Sequence, residues 1–126
     1  MKCVECGKAL RVTWPKTYQY RESGLESVLL TGVRVFVCPG CRAQFPEISN
    51  IVGLHQAIAT HLTRKPASLT GAEFRFLRKE IGLKAKDLAQ GLGVTDVSLS
   101  RWETSASPIS PAADRLLRTL YSLKTM

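Results

Sequence analysis

Four cysteines fall into two CxxC pairs, Cys3-Val4-Glu5-Cys6 and Cys38-Pro39-Gly40-Cys41, with 31 residues between them. Each CxxC turn can aim two sulfurs at one point and leave backbone N–H groups free to donate to them. Four thiolates suit Zn²⁺ in a tetrahedron, and a complete Cys₄ set leaves no open position, so the expected role of the metal is structural. Two disulfides or another thiophilic metal are the alternatives; a reducing cytosol and the spacing both favour zinc. Gly7 and Gly40 suit the turns of such knuckles. His55 and His61 are six apart and would point in different directions on a helix, so neither is expected to join the ligands. The chain offers no paired carboxylates beside a histidine and no nucleophile–base set, so no enzymatic activity is expected.

The segment between the knuckles must hold them together. It reads as short strands at 10–14, 17–21, 27–30 and 33–37, the last rich in β-branched residues. Turns fall at 21–24 and at Thr31-Gly32. So small a sheet buries little, and metal binding should supply much of its folding free energy, on the order of 10 kcal/mol. Trp14, Tyr18 and Tyr20 read as exposed aromatics that either cover the sheet or form a partner surface.

The pattern changes at Ser49. Ile51, Leu54, Ile58 and Leu62 recur at helical spacing after a cap at Ser49 or Asn50. Pro66-Ala67-Ser68 reads as a short hinge. Thr70 and Glu73 form a capping box. The helix behind it should bury Phe74, Leu77 and Ile81, keep Arg75, Arg78 and Lys79 in water, and stop at Gly82. A last helix begins at Ser110-Pro111. Its Leu116, Leu117, Leu120 and Leu123 exceed what one buried face needs, which suggests homodimerisation. The expected class is α+β in two modules. Residues 1–65 are expected to form a zinc-bound small β-sheet domain with one helix that binds a partner, and residues 66–126 an all-α five-helix domain with a helix-turn-helix, for DNA binding and dimerisation.

Leu83 to Trp102 carries that motif, LKAKDLAQGLGVTDVSLSRW. Leu88, Ala89 and Leu92 share one face, Gly93 permits the sharp turn, Val94 fills the corner and Thr95 caps a second helix. Ala89 and Gly93, four apart, would let two helices cross closely. Leu99 and Trp102 face inward, while Asp96, Ser98 and Arg101 face outward. The pattern suits a helix entering the DNA major groove; an α-hairpin with an inert face is the plainer reading. Candidate DNA contacts are Lys84, Lys86, Thr95, Asp96, Val97, Ser98 and Arg101. The chain's 126 residues carry 18 Lys+Arg against 10 Asp+Glu, a net charge of +8, which favours a polyanionic partner. No apolar run is long enough to span a bilayer. The N-terminus lacks the apolar core of a signal peptide, so a cytoplasmic, nucleoid-associated location is expected.

LKAKDLAQGLGVT followed by VSLSRWE resembles the Xre/Cro class of helix-turn-helix domains. MKCVECGK and FVCPGCRAQFPEIS resemble the YgiT-type zinc finger. Their order is similar to that of the MqsA-type antitoxins of bacterial toxin–antitoxin operons. This resemblance implies a homodimer binding its own palindromic operator, and a zinc domain that binds a toxin encoded nearby, commonly a ribonuclease. It also implies zinc ligation by Cys3, Cys6, Cys38 and Cys41 and a guanine-reading role for Arg101. This chain has Val97 where those relatives place a base-contacting Asn. Valine can meet a thymine methyl but makes no bidentate bond to adenine, so a different operator is expected. Ala85 stands where many Xre domains carry Gln, leaving backbone positioning to Lys84, Lys86 or main-chain N–H groups. Residues 1–65 hold nine Lys+Arg and four Asp+Glu, net +5, against nine and six, net +3, in 66–126. A basic zinc module suits an acidic patch on its partner, or a nucleic acid. A stand-alone regulator responding to zinc or thiol oxidation is the alternative function.

Overall fold

The computed structural model describes residues 2–125. The chain forms an α+β structure that divides into two compact units, Met1–Ile51 and Val52–Met126.

The first unit holds a three-stranded antiparallel sheet in the order β1-β4-β5, from Arg11–Thr13 (β1), Val35–Val37 (β4) and Gln44–Pro46 (β5). Arg11 pairs with Val37, Val12 with Phe36 and Thr13 with Val35. On the other side, Phe36 pairs with Phe45. Tyr18–Gln19 (β2) and Leu29–Leu30 (β3) form a separate two-stranded ribbon. β5 is absent from the sequence reading. Pro46 argues against a strand, yet here it ends an edge strand, where its missing N–H costs nothing. The strand expected over 17–21 stops at Gln19, and Arg21–Ser23 turns as one 3₁₀ turn closed by Gly24 at φ 81°. Tyr20 is buried at 3% exposure rather than displayed; Trp14 stays 69% exposed.

The second unit is the five-helix region: Ile51–Arg64 (α1), Gly71–Ile81 (α2), Ala85–Leu92 (α3), Asp96–Glu103 (α4) and Pro111–Lys124 (α5). Its core is Phe74, Leu77, Leu99 and Leu117. The division at Ile51/Val52 differs from the boundary read at 65/66, because α1 packs with the helices. His55 on α1 lies 5.4 Å from the Phe76 ring, and its Nδ1 is 2.8 Å from a Glu80 carboxylate oxygen. The segment read as a hinge is held. Arg118 donates to the carbonyls of Lys65 at 2.5 Å and Ala67 at 2.7 Å. Asp114 accepts from the N–H of Leu69 at 2.8 Å. With α1 in the helical unit, the charge partition reverses. Residues 1–51 hold seven Lys+Arg and four Asp+Glu, net +3, and residues 52–126 hold eleven and six, net +5.

Local chemistry sets the helix ends. Thr70 accepts from the N–H of Glu73 at 3.2 Å while the Glu73 carboxylate accepts from the N–H of Thr70 at 2.8 Å, the reciprocal capping box. Gly82 closes α2 at φ 88°. Ser110 caps α5, with Pro111 in its first turn.

Candidate metal centre and nucleic-acid interface

The two knuckles repeat one backbone design. The N–H of Gly7 donates to the Cys3 carbonyl and the N–H of Arg42 to the Cys38 carbonyl, both at 2.9 Å. The N–H of Cys3 donates to Lys8 and that of Cys38 to Ala43, at 2.8 and 2.9 Å. Each turn needs one left-handed residue after its second cysteine: Gly7 at φ 77° in the first and Arg42 at φ 63° in the second. The positive φ of the second knuckle thus belongs to Arg42 and not to Gly40.

This design brings the four sulfurs within 4.8 Å of one another. Cys6 and Cys38 are 3.1 Å apart, and Cys3 and Cys41 are 3.6 Å apart. A tetrahedron with Zn–S bonds of about 2.3 Å needs sulfurs about 3.8 Å apart, so these residues fit that ion with small adjustments. Cys3 and Cys38 are buried, Cys6 and Cys41 exposed. The N–H of Cys41 and the thiol of Cys6 hold the Cys38 thiol down at about 6, well into the thiolate range. The N–H of Ala43 favours ionisation of Cys41, but desolvation and the neighbouring Cys38, Cys3 and Cys6 push it up to about 12. Four sulfurs that resist sharing negative charge among themselves are the donor set a divalent cation stabilises. They can therefore hold a metal ion, with all four positions filled by protein.

In the helical unit, Gly93 at φ 72° ends α3. The N–H of Val94 bonds to the Ala89 carbonyl at 3.0 Å, turning the chain into α4. A side chain built on Gly93 would meet nothing within 4 Å, so its glycine serves the backbone angle and not helix proximity. The close approach lies elsewhere: a Cβ at Gly71 would sit 2.3 Å from the Trp102 carbonyl oxygen. Thr95 caps α4, its hydroxyl oxygen accepting from the N–H of Ser98 at 3.1 Å and its proton going to the Ser98 hydroxyl at 3.0 Å.

Buried Leu99 anchors the inner face of α4, and half-buried Trp102 meets Phe74 edge-on at 6.1 Å. Glu103 at its last turn receives Arg78 from α2, with Nε at 2.6 Å and Nη2 at 3.1 Å, while Arg78 Nη1 donates to the Leu83 carbonyl at 2.9 Å. Arg78, expected in water, is therefore 9% exposed. One guanidinium ties α2, the α2–α3 turn and α4 into a single body.

The expected DNA contacts lie along both helices, at the start of α3, at the start of α4 and, for Arg101, in the last turn of α4. Thr95, Asp96, Val97 and Arg101 are exposed on the α4 side, and Ser98 is half-buried with its hydroxyl engaged by Thr95. Lys84 and Lys86 are exposed at the start of α3. No side chain caps that start, so first-turn N–H groups are open to an anion.

A helix-turn-helix family model matches residues 74–118. That match runs from inside α2 to the middle of α5 and takes in α3, α4 and the Arg78–Glu103 pair. No curated protein matches the chain. The chain thus carries a helix-turn-helix region of the kind found in DNA-binding regulators, with a four-cysteine cluster ahead of it. No described helix is long and apolar enough to cross a membrane.

Proposed function

We propose that the protein is a repressor that reads a palindromic operator in double-stranded DNA as a homodimer, through α4. We further propose that it serves as the antitoxin of a toxin–antitoxin pair in the cytoplasm, with the cysteine unit as the module that binds a toxin. The observation carrying the DNA reading is the rigid mounting of α4. Its outward residues Asp96, Val97 and Arg101 are exposed with side chains not engaged by other residues, while Leu99, Trp102 and Glu103 fix its other side.

Arg101 presents a planar fork suited to the O6 and N7 of guanine, and Val97, 60% exposed, suits a thymine methyl. Lys84, Lys86 and the uncapped N-terminus of α3 would hold phosphates, which sets register without reading sequence. Homodimerisation is supported by α5, where Leu116 and Leu123 are 41% and 60% exposed on the stripe that continues through Leu120. Cys3, Cys6, Cys38 and Cys41 would hold Zn²⁺ as a staple, with no catalytic role. The antitoxin role rests on the order of the two modules and their likeness to MqsA-type proteins.

Selection of bound duplexes from a random pool tests the DNA reading; the expected product is a palindrome with half-sites about one helical turn apart. Failure to enrich any sequence would end it. Co-expression with the adjacent open reading frames tests the antitoxin role: a stable complex through residues 1–51 is expected, and its absence would reduce the protein to a stand-alone repressor. One observation favours a second reading. Cys6 and Cys41 are exposed ligand positions open to oxidants, so a stand-alone regulator responding to zinc or thiol oxidation would lose DNA affinity when peroxide expels its metal.

A further inference from the structure

The three-stranded sheet of the first unit turns its aromatic side outward. Val12, Phe36 and Phe45 are directly paired across β1, β4 and β5, so all three stand on one face. Trp14 and Arg34 lie two residues from Val12 and Phe36 and share that face, and Arg34 bonds its carboxylate partner Glu47 there. The Arg34 guanidinium carbon is 5.9 Å from the Trp14 ring centre and 5.8 Å from that of Phe36. Trp14 is 69% and Val12 49% exposed, and both phenylalanines are half-buried. The opposite face supplies the buried Val35 and, with Thr13, Val37 and Gln44, lines a cleft of about 480 Å³. An antiparallel sheet with one wet face normally keeps its aromatics inside; here Trp14 stays exposed and the two phenylalanines are covered only in part.

We propose that this face is a stacking platform for single-stranded nucleic acid. Phe36 and Phe45 on neighbouring strands and Trp14 just past the end of β1, with the Arg34 guanidinium beside two of these rings, offer flat surfaces to unpaired bases. The surroundings supply the charge complement. Residues 1–51 carry net +3, and among the described residues of this unit Arg34 is the one cation in an ion pair. Lys16, two residues beyond Trp14, is exposed and carries charge for a passing backbone. A duplex hides its base faces and cannot use such a surface, so this activity is separate from groove reading by α4.

The test is titration of the zinc-loaded full chain with fluorescent oligo(dT) and oligo(U) of about 12 nucleotides, following both anisotropy and tryptophan emission. Saturable binding is expected, with quenching of the Trp14 contribution. Trp14→Ala and Phe45→Ala should each weaken binding roughly tenfold, and Trp14→Phe should restore most of the loss. Retained zinc stoichiometry would show the variants folded. Arg101→Ala should leave single-strand binding unchanged while impairing duplex binding, which separates this proposal from the operator reading. Absence of binding up to about 100 µM, where purely electrostatic association already registers, would overturn it. So would equal affinity of wild type and Trp14→Ala, since attraction by charge alone needs no platform. Capture of an acidic protein by this face, with no oligonucleotide competing, would also overturn it.

Discussion

Arg78 and Glu103 meet in a fork with contacts of 2.6 and 3.1 Å, 25 residues apart in sequence and each with a side chain only 10% exposed. Removing either partner leaves the other charge buried without its complement, which costs about 3–5 kcal/mol. Arg78→Met and Glu103→Gln should each destabilise the helical unit by that order. The double replacement should cost less than the sum of the two, and a double-mutant cycle by denaturant melts measures the difference.

Gly71→Ala should be among the most damaging small changes. The new methyl would lie 2.3 Å from the Trp102 carbonyl oxygen and 2.8 Å from that of Glu103, and neither backbone oxygen can swing away. Overpacking of this kind costs about 1–3 kcal/mol. Because the clash pushes on the last turn of α4, duplex affinity should fall along with thermal stability. A melt identical to wild type would contradict the close packing.

Metal removal should unfold one unit and spare the other. The core of the first unit is small, Tyr20, Leu25 and Val35 with two of the cysteines. The helical unit has its own core. Cys38→Ser, or a strong chelator, should abolish the strand signal of residues 1–51 and leave the transition of α1–α5 in place. Amide-resolved hydrogen exchange separates the two.

Glu73 gives the helical unit an acid sensitivity. Burial raises its carboxyl pKa, but the Lys65 ammonium at 2.7 Å and the N–H of Thr70 outweigh burial and hold it below the usual carboxylate range. A depressed folded pKa contributes stability that is present above the ordinary carboxylate pKa and is lost as pH falls through the folded value. Melts of wild type should therefore fall as pH drops through and below the ordinary carboxylate range, and Glu73→Gln should flatten that slope. At neutral pH the same variant keeps the cap, since an amide oxygen still accepts from the N–H of Thr70, and should cost about 1 kcal/mol through loss of the charge-assisted bond to Lys65.

What could be read from the sequence was what depends on neighbours a few residues apart. The capping box of Thr70 and Glu73, the left-handed Gly82 and Gly93, and the Thr95 cap are local devices, and the structure reproduces each. The four cysteines were legible because ligand chemistry fixes their type and spacing. What could not be read depends on distant partners. Helical periodicity puts Arg78 near a wet face, and its bonds to Glu103 and to the Leu83 carbonyl explain its burial. The amphipathic stripe of α1 says that it packs but not against which unit; His55 meeting Phe76 and Glu80 decides that. Pro66–Ser68 has the composition of a hinge, and Arg118, some 50 residues on, holds it. Arg42 took a role that glycine usually fills, so its knuckle gave no signal at that position.

Arg101 offers the most direct test of groove reading by α4. Affinity of wild type and Arg101→Ala for the selected duplex should be measured at one fixed salt concentration, with each base pair varied in turn. The variant should lose about 1–3 kcal/mol, concentrated at one guanine, and bind its replacements nearly equally there. Unchanged affinity and unchanged base preference would contradict the assignment of α4 as the reading helix.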